Sequence, residues 1–348
     1  MTLKDIVKHF NIIGNSVCIT EYGNGLINET YLVACEEKGN AYFYVLQKIN
    51  DNLFKDIKAL MNNIDAVTTY IENNYNNNDI RTLTIIKTIY GTNYFYCAAG
   101  YFRMYDFIDG DTLELLENEN IFYECGKAYG KFQKMLIGFD SSEITEIIPD
   151  FHNTKARYNN FLKSVKNDKY NRVFYIIKQI DFIEERKEYC NKIADMLNSG
   201  IIPKRLIHGD TKLNNLLFDK VTNKSFAVVD LDTMMIGASC FDFGDSIRSG
   251  LLRVSKPLNT EEKIKLYESY YRGFLIGNDE LTVEERKSLI YGAIVITYEC
   301  GIRFLTDYLD GDIYFKTKYI GQNLEKALNN FNLLLFLEEN INRLQILS

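Results

Sequence analysis

Several features that are common in proteins are absent from this sequence of 348 residues. There is no tryptophan, so any aromatic surface that contacts a ligand must be built from the 25 tyrosines and 22 phenylalanines. The first ten residues include Lys4, Asp5, Lys8 and His9, which interrupt the apolar stretch that a signal peptide needs. No later run predicts a membrane span. These absences predict a cytoplasmic protein without a membrane partner.

Paired cysteines and an excess of positive charge are also missing. The seven cysteines are odd in number and never form a C-x-x-C pair, which favours free thiols in a reducing compartment. The formal net charge of -7 would repel a polyanion, and no local basic stripe offsets it. We therefore expect no nucleic-acid partner.

What is present is the composition of a globular protein, with 46% hydrophobic and 25% charged residues. The chain is longer than one core usually serves, since cores stop growing at about 250–300 residues. We therefore expect a monomer with two unequal lobes divided near Gly110, the first over residues 1–109 and the second over residues 110–348.

The first lobe is predicted to be rich in β-structure. A helix is predicted over Asp56–Asn73 from its apolar spacing, followed by an asparagine-rich turn over Asn73–Asn78. Aromatic and β-branched runs bounded by turn residues predict strands at Val17–Thr20, Tyr31–Cys35, Tyr42–Ile49, Thr84–Ile89, Tyr94–Ala98 and Phe102–Ile108.

The second lobe is predicted to be mainly helical. A β-hairpin with strands Leu216–Phe218 and Phe226–Val229 interrupts it. Helical spacing of apolar residues predicts helices over Thr112–Met135, His152–Lys166, Phe182–Asn198, Glu261–Leu275 and Glu284–Leu309.

The strongest functional signal lies just before this hairpin. His208 precedes Asp210 by two residues and Asn215 follows it by five, which is the H-x-D-x-x-x-x-N spacing of a kinase catalytic loop. Phosphoryl transfer needs a carboxylate that orients and deprotonates the attacking hydroxyl, and an oxygen ligand for magnesium. We predict Asp210 as the catalytic base and Asn215 as a metal ligand. His208 is expected to anchor the loop, and Asn214 to be a turn residue.

A second carboxylate follows at a spacing that fits the same chemistry. The apolar strand Phe226–Val229 delivers Asp230 at its end, where a stronger metal ligand is required, and Asp232 is a candidate helper. Asp230 is therefore the predicted metal carboxylate.

A competing D-F-G triplet occurs at Asp242-Phe243-Gly244. It follows a loop of small residues instead of an apolar strand, so its spacing does not fit the metal carboxylate. Asp242 and Asp245 are expected to cap or brace a helix that runs on from Ser246.

The nucleotide-binding half carries weaker signals. A turn containing Gly23 and Gly25 could cover phosphates with backbone N–H groups, but it also fits an ordinary hairpin turn. Lys48 is the candidate phosphate-binding lysine, although strand alternation places Gln47, not Lys48, on the face of Val45. The phosphate contacts are thus the least defined part of the prediction.

The expected hinge against adenine is the strand Phe102–Ile108, the last before the lobe boundary. Arg103 and Tyr105 are its candidate nucleotide contacts.

Taken together, these residues resemble the aminoglycoside phosphotransferase and choline kinase superfamily, and within it the N-acetylhexosamine 1-kinase group. The resemblance implies an α+β, protein-kinase-like two-lobed fold, with a small β-rich nucleotide-binding lobe and a larger helical catalytic lobe. It extends roughly from Tyr22 to Phe336. Beyond the catalytic loop it includes Val45–Asn50, Phe151–Thr154, Asp230–Thr233, Phe241–Arg248 and Gly301–Tyr308.

The resemblance also implies a reaction. ATP, with Mg²⁺, would phosphorylate the anomeric hydroxyl of a free N-acetylhexosamine, giving a sugar 1-phosphate for nucleotide-sugar synthesis or salvage. Candidate acceptor contacts are Lys212, beside the base, together with Arg303 and Tyr308 in a late aromatic cluster. The glycine turn departs from this group at Leu26, where histidine is usual, which leaves the sugar preference open.

Two alternatives remain. A kinase for an aminoglycoside, an amino alcohol or another sugar would use the same Asp210 chemistry, although a cationic acceptor calls for an acidic pocket. A nucleotide-binding protein without catalysis would need no base, so the presence of Asp210, Asn215 and Asp230 together argues against it.

Overall fold

The N-terminal part of the chain is built on an antiparallel sheet, in a computed structural model that describes residues 1–23, 27–75 and 80–345. The strand order is β1-β2-β3-β5-β4. The elements are α1 (Leu3–Val7), β1 (Asn15–Glu21), β2 (Glu29–Glu37), β3 (Asn40–Ile49), α2 (Ile57–Asn74), β4 (Phe95–Cys97) and β5 (Gly100–Asp106).

The C-terminal part is mainly helical, with two small two-stranded sheets, β6 with β9 and β7 with β8. Its elements are α3 (Glu119–Met135), α4 (Thr154–Asn167), α5 (Ile177–Glu184), α6 (Lys192–Asn198), β6 (Arg205–Ile207), β7 (Leu216–Phe218), β8 (Ser225–Val228), β9 (Met235–Gly237), α7 (Ser239–Leu252), α8 (Thr260–Gly277), α9 (Val283–Asp310), α10 (Gln322–Glu339) and α11 (Ile341–Gln345).

Strand alternation gives the five-stranded sheet two different faces. One face buries Val33, Leu46 and Met104 against α1. The opposite face carries Gln47, which lies directly between Thr30 on β2 and Arg103 on β5 in the strand register. This second face therefore brings polar side chains to the side of the sheet that meets the C-terminal part.

The main core runs from α2 through the helical part, so α2 belongs to the core of the C-terminal part as well as to the N-terminal part. Buried residues of α2 such as Leu60 and Ile64 belong to the same apolar cluster as Phe243 of α7 and Ile294 of α9. α7 and α9 cross so closely that a Cβ at Gly244 would lie 2.4 Å from the Gly292 backbone. Gly244 of the D-F-G triplet is thus a helix-packing residue.

α9 is long and apolar enough to cross a membrane by length and composition, although the sequence pattern did not suggest it. Most of its apolar stretch, 72%, is buried inside the fold. It packs against α7, α10 and α4 as a core helix.

The predicted strand Thr84–Ile89 is wrong. The segment makes only separate contacts with β5, where the Ile86 N–H donates to the Met104 carbonyl at 2.9 Å. At the next residue the Lys87 carbonyl accepts from Asn11 instead, so the ladder does not continue.

The helix predicted from Thr112 begins only at Glu119. Before it, the backbone groups of Asp111 exchange hydrogen bonds with Phe218, and the Leu116 N–H donates to the Arg253 carbonyl at 2.7 Å. These backbone groups are therefore not available for a helical ladder.

Two further helix boundaries differ from the prediction. The helix predicted over Phe182–Asn198 is broken into α5 and α6, and Arg186 at the break binds Glu338 of α10 at 3.0 Å. The helix predicted from Ser246 begins earlier, at Ser239. Of the predicted asparagine-rich turn, residues 76–78 lie outside the part of the chain that the structure describes.

Candidate active site

The catalytic loop is held by the first turn of α7. The Asp242 carboxylate accepts hydrogen bonds from the backbone N–H groups of His208 and Gly209, both at 2.9 Å, and from the Gln133 amide at 2.8 Å. Asp242 is only 1% exposed. Its predicted role within its own helix is therefore corrected: this carboxylate braces the loop that carries Asp210.

The two residues before Asp210 are fixed by the backbone geometry. Gly209 has a φ of +80°, and a Cβ there would lie 2.5 Å from the Thr233 carbonyl oxygen, so glycine is required. The His208 ring bonds the Val229 carbonyl through Nε2 at 2.9 Å and accepts at Nδ1 from the Asp210 N–H at 3.2 Å. These contacts agree with the predicted anchoring role of His208.

Asp210 is surrounded by the side chains predicted to work with it. Lys212 Nζ lies 2.6 Å from Asp210 Oδ1. The Asn215 amide donates to the backbone carbonyl of Asp210 at 2.7 Å, which leaves the Asn215 side-chain oxygen as an acceptor for a cation. The Val229 N–H bonds the Asn215 carbonyl at 3.0 Å and so ties this loop to the strand that leads to Asp230.

Asp230 follows β8 with a φ of 62°, a left-handed conformation that aspartate tolerates better than most residues. Its carboxylate accepts no hydrogen bond from residues 1–23, 27–75 or 80–345. Burial, with the neighbouring carboxylates of Asp232 and Asp210, raises the pKa of Asp230 to about 6. The positive charge of Lys212 offsets these effects only in part, and a bound divalent cation would stabilise the carboxylate further.

The donor set fits Mg²⁺ in particular. No group of three or more His, Cys, Asp or Glu side chains in the described part of the chain could hold a metal ion by itself. Mg²⁺ commonly binds one or two protein oxygen ligands together with substrate phosphates. Asn215 and Asp230 would hold it, and the ion would neutralise charge on the phosphates.

Asp232 does not fit its predicted role of assisting Asp230 in metal binding. Its Oδ1 and Oδ2 pair with Arg103 Nη1 and Nη2 at 2.5 and 2.8 Å, and Oδ2 also accepts from the Asn28 amide at 2.8 Å. Both carboxylate oxygens are therefore occupied. Arg103, a predicted nucleotide contact, lines the cleft, and its guanidinium is held by Asp232 and, through Nε, by Gln47 at 2.9 Å.

Lys48 is not brought to the cleft. Its Nζ pairs with Glu29 at 3.1 Å on the outer face of the sheet, and the side chain is 36% exposed. Strand alternation is the cause, because Gln47 takes the inward position. The prediction of Lys48 as the phosphate-binding lysine is thus corrected.

A cleft of about 520 Å³ lies between the sheet and the catalytic loop. Asp210, Asn215 and Asp230 line one end of it. Gly23 and Tyr105 also line it, as predicted for nucleotide contacts, whereas Gly25 and Leu26 lie outside the described residues. The other lining side chains include a group of apolar residues suited to a flat base: Val45, Leu83, Ile108, Leu217 and Val229.

A second, smaller pocket of about 180 Å³ adjoins α9 and contains Arg303. The guanidinium of Arg303 lies over the ring of Phe151, 5.4 Å from its centroid, and forms no hydrogen bond within the described residues. Arg157 and Tyr314 line the same pocket. Tyr308 does not line this pocket, because it is buried under Arg172, and this is a correction to its prediction as a substrate contact.

The catalytic loop is also supported by His152, from the segment before α4. The ring of His152 contacts the Gly209 carbonyl through Nε2 at 2.9 Å and Glu299 through Nδ1 at 3.4 Å. Thr154 donates to the same carboxylate at 2.7 Å. Sequence reasoning did not identify His152 and Glu299 as supports of the catalytic loop. The available signal was the Phe151–Thr154 segment, which contains one of the three histidines of the chain.

Comparison with known proteins identifies the family of this chain. The profile of the phosphotransferase enzyme family matches residues 19–274. The chain belongs to this family. Among solved structures, it is similar to choline kinase from Cryptosporidium parvum Iowa II, with a TM-score of 0.62, 15% identity and 98% and 96% of the two chains covered.

Two further structures share the fold. An aminoglycoside phosphotransferase from Alicyclobacillus acidocaldarius has a TM-score of 0.66 and 10% identity, covering 99% of this chain and 96% of that chain. A spectinomycin phosphotransferase in complex with ADP and spectinomycin has a TM-score of 0.57 and 10% identity, covering 96% of both chains. The predicted α+β kinase-like fold is confirmed.

Proposed function

We propose that this phosphotransferase is an ATP- and Mg²⁺-dependent small-molecule kinase, and that its acceptor is the anomeric hydroxyl of a free N-acetylhexosamine. Residues 1–109 would form the nucleotide-binding lobe and residues 110–348 the catalytic lobe. The kinase part rests on Asp210, Asn215 and Asp230 at one end of the cleft.

Each of these residues has a distinct part. Asp210 accepts the proton of the sugar hydroxyl while the hydroxyl oxygen attacks the γ-phosphorus of ATP. The bond between the γ-phosphorus and the β–γ bridging oxygen breaks as ADP leaves. Lys212, paired with Asp210, is placed to contact the acceptor or the transferred group. Asn215 and Asp230 hold the metal that neutralises the phosphates.

The single observation that favours a sugar over a cationic acceptor is that the guanidinium of Arg303 has free N–H donors within the described chain. Its N–H donors bond no group of the described chain, and the rings of Phe151 and Phe315 lie beside it. A guanidinium fork of this kind is suited to the oxygen atoms of a neutral or anionic ligand and repels an ammonium group.

The acidic residues in the same pocket do not reverse that preference. The Asp307 carboxylate already accepts from the backbone N–H groups of Ile313, Tyr314 and Phe315 at 2.8–2.9 Å. Asp310 lines the same pocket together with the guanidinium groups of Arg157 and Arg303. An amino alcohol or an aminoglycoside would therefore meet two positive charges in this pocket.

The choice of an N-acetylated sugar rests on the family resemblance and on pocket chemistry. A buried group that pairs with the acetamide is left unpaired when the sugar lacks it, which costs about 1–3 kcal/mol. We therefore expect kcat/KM for glucose or galactose to be roughly 5- to 150-fold below that for the N-acetylated forms.

The test is ADP release from MgATP with a panel of acceptors: N-acetylglucosamine, N-acetylgalactosamine, glucose, galactose, choline, ethanolamine and an aminoglycoside. The proposal predicts turnover with the N-acetylhexosamines above all others. Preferential turnover of a cationic acceptor, or equal rates on plain hexoses, would contradict it.

A matched pair of variants tests the role of Arg303. Arg303→Met should raise KM for the sugar while leaving KM for ATP near its normal value. Arg172→Met removes a guanidinium that stacks on Tyr308 and pairs with Asp312 at 2.7 Å, outside the pocket, and should leave KM for the sugar unchanged.

A further inference from the structure

The cleft contains a buried ion pair that the phosphoryl-transfer chemistry does not itself use. Arg103 on β5 and Asp232, two residues after Asp230, form a two-point contact at 2.5 and 2.8 Å. Their side chains are 2% and 3% exposed. Burying such a pair is costly and adds little stability on its own, so its position calls for another explanation.

Asp232 accepts hydrogen bonds from two segments of the N-terminal part. Besides Arg103 on β5, the Asn28 amide, one residue before β2, donates to Asp232 Oδ2 at 2.8 Å. Asn28 in turn accepts from the Asn50 backbone N–H, after β3, at 3.0 Å. One carboxylate of the C-terminal part is thus bound both to β5 and to the residue that precedes β2.

Arg103 is also held in place by hydrogen bonds within the sheet. Arg103 Nε donates to Gln47 at 2.9 Å, and the Gln47 amide donates to Thr30 at 3.1 Å. Thr30, Gln47 and Arg103 lie directly opposite one another on neighbouring strands. This row occupies the inward face of β3, the face from which Lys48 is turned away.

We propose that Arg103, Asp232 and Asn28 form an interlobe clamp that positions Asp230 and the start of β2 on either side of the nucleotide phosphates. They are positioning residues, because they act through Asp230 and through the start of β2. The short 3-10 turn over Leu231–Thr233 transmits the position of Asp232 to Asp230. The clamp rests on the proposed function only in that the cleft binds MgATP.

The first test compares two carboxylate-to-amide variants in buried arginine pairs. Asp232→Asn should weaken MgADP binding and raise the Mg²⁺ concentration for half-maximal activity by about 10- to 100-fold, as loss of a residue that orients a metal ligand typically does. Glu285→Gln breaks a similar pair with Arg205, at 2.8 and 3.0 Å, away from the cleft. It should lower the melting temperature and leave both quantities unchanged.

Two further variants separate positioning from folding. Replacing both partners, Arg103→Met with Asp232→Leu, removes the unpaired buried charge and should restore much of the melting temperature. MgADP binding should stay about 10- to 100-fold weak. Asn28→Ala, at a half-buried site, should raise KM for MgATP more than it lowers kcat.

Calorimetric titration with MgADP needs no acceptor, so a wrong sugar assignment would not affect it. If the folded double variant, or Asp232→Asn, binds MgADP and responds to Mg²⁺ like the wild type, the clamp is wrong while the kinase function stands. Absence of MgADP binding by the wild type would overturn both.

Discussion

The Asp242 carboxylate lies 2.9 Å from the backbone nitrogen of Gly209, so a residue of α7 holds the catalytic loop through its main chain. The neighbouring carboxylate Asp230 has no such partner in the described chain. The two aspartates are therefore expected to differ in what they do when mutated.

Asp230→Ala should abolish Mg²⁺-dependent turnover without lowering the melting temperature, because its carboxylate lines the cleft and accepts no hydrogen bond from the described chain. Asp242→Ala should lower both activity and melting temperature, since three donors lose their acceptor and each unsatisfied group costs about 1–3 kcal/mol. Thermal unfolding and an ADP-release assay measure both effects. An active Asp230→Ala, with an inactive but fully stable Asp242→Ala, would show that the metal assignment is reversed.

Asp210→Asn should lower kcat by about 10²–10⁴-fold, the usual contribution of a general base. MgATP affinity should change little, since the nucleotide cleft and the metal ligands remain intact. Steady-state kinetics and a nucleotide titration measure the two quantities separately. A near-normal kcat would exclude the base role, and loss of MgATP binding would make Asp210 a metal ligand.

Gly209→Ala should destabilise the protein and inactivate it. Its φ of +80° is strained for alanine, at a cost of about 1–3 kcal/mol, and the new Cβ would also meet the Thr233 carbonyl oxygen at 2.5 Å. Gly200→Ala is the matched control, because it has a φ of +72° with nothing within 4 Å of the added Cβ. Chemical unfolding should show the larger loss for Gly209→Ala, and equal losses would mean that the loop can shift.

The His152–Glu299 pair should make stability depend on pH. Burial opposes the charge on His152, but the Glu299 carboxylate outweighs it and raises the pKa of His152 above its usual value. Burial likewise opposes the charge on Glu299, yet His152, Arg303 and Thr154 lower its pKa. Each of the two groups therefore favours the charged form of the other in the folded protein.

The two pKa shifts determine how stability depends on pH. The stability that His152 contributes is complete below its unfolded pKa of about 6.5 and is lost as pH rises through the raised folded pKa. The Glu299 contribution is lost as pH falls below its unfolded value of about 4.3. The free energy of unfolding of the wild type should thus exceed that of Glu299→Gln most at a pH between those two pKa values. Urea unfolding should show that this difference in free energy becomes smaller toward about pH 9. A difference that is constant with pH would refute a charged pair.

Local sequence spacing was sufficient to locate the chemical centre. The motif that contains Asp210 and Asn215, and the strand that ends before Asp230, are each contiguous in the chain, so their geometry follows from the catalytic loop and hairpin. Strand alternation also indicated that Gln47 faces the cleft, which the structure bears out.

The errors concern contacts between distant segments. Asp232 reads as a metal ligand from its place beside Asp230, and only the fold shows that Arg103, 129 residues earlier, occupies it. Tyr308 was misplaced for a related reason, because the residues of α9 that reach the second pocket depend on a partner, Arg172, that local spacing does not identify. Lys48 is different, since strand alternation already argued against it and the structure follows that alternation.

The central claim, that Asp210 activates the anomeric hydroxyl of a free N-acetylhexosamine, is tested most directly by phosphorus NMR of the product. With MgATP and the sugar, the wild type should form a phosphate ester. Mild acid should hydrolyse this ester to inorganic phosphate, as it does a sugar 1-phosphate. Asp210→Asn should form almost none of it. An acid-stable ester from the same sugar, or phosphorylation only of a cationic amino alcohol or aminoglycoside, would contradict the claim.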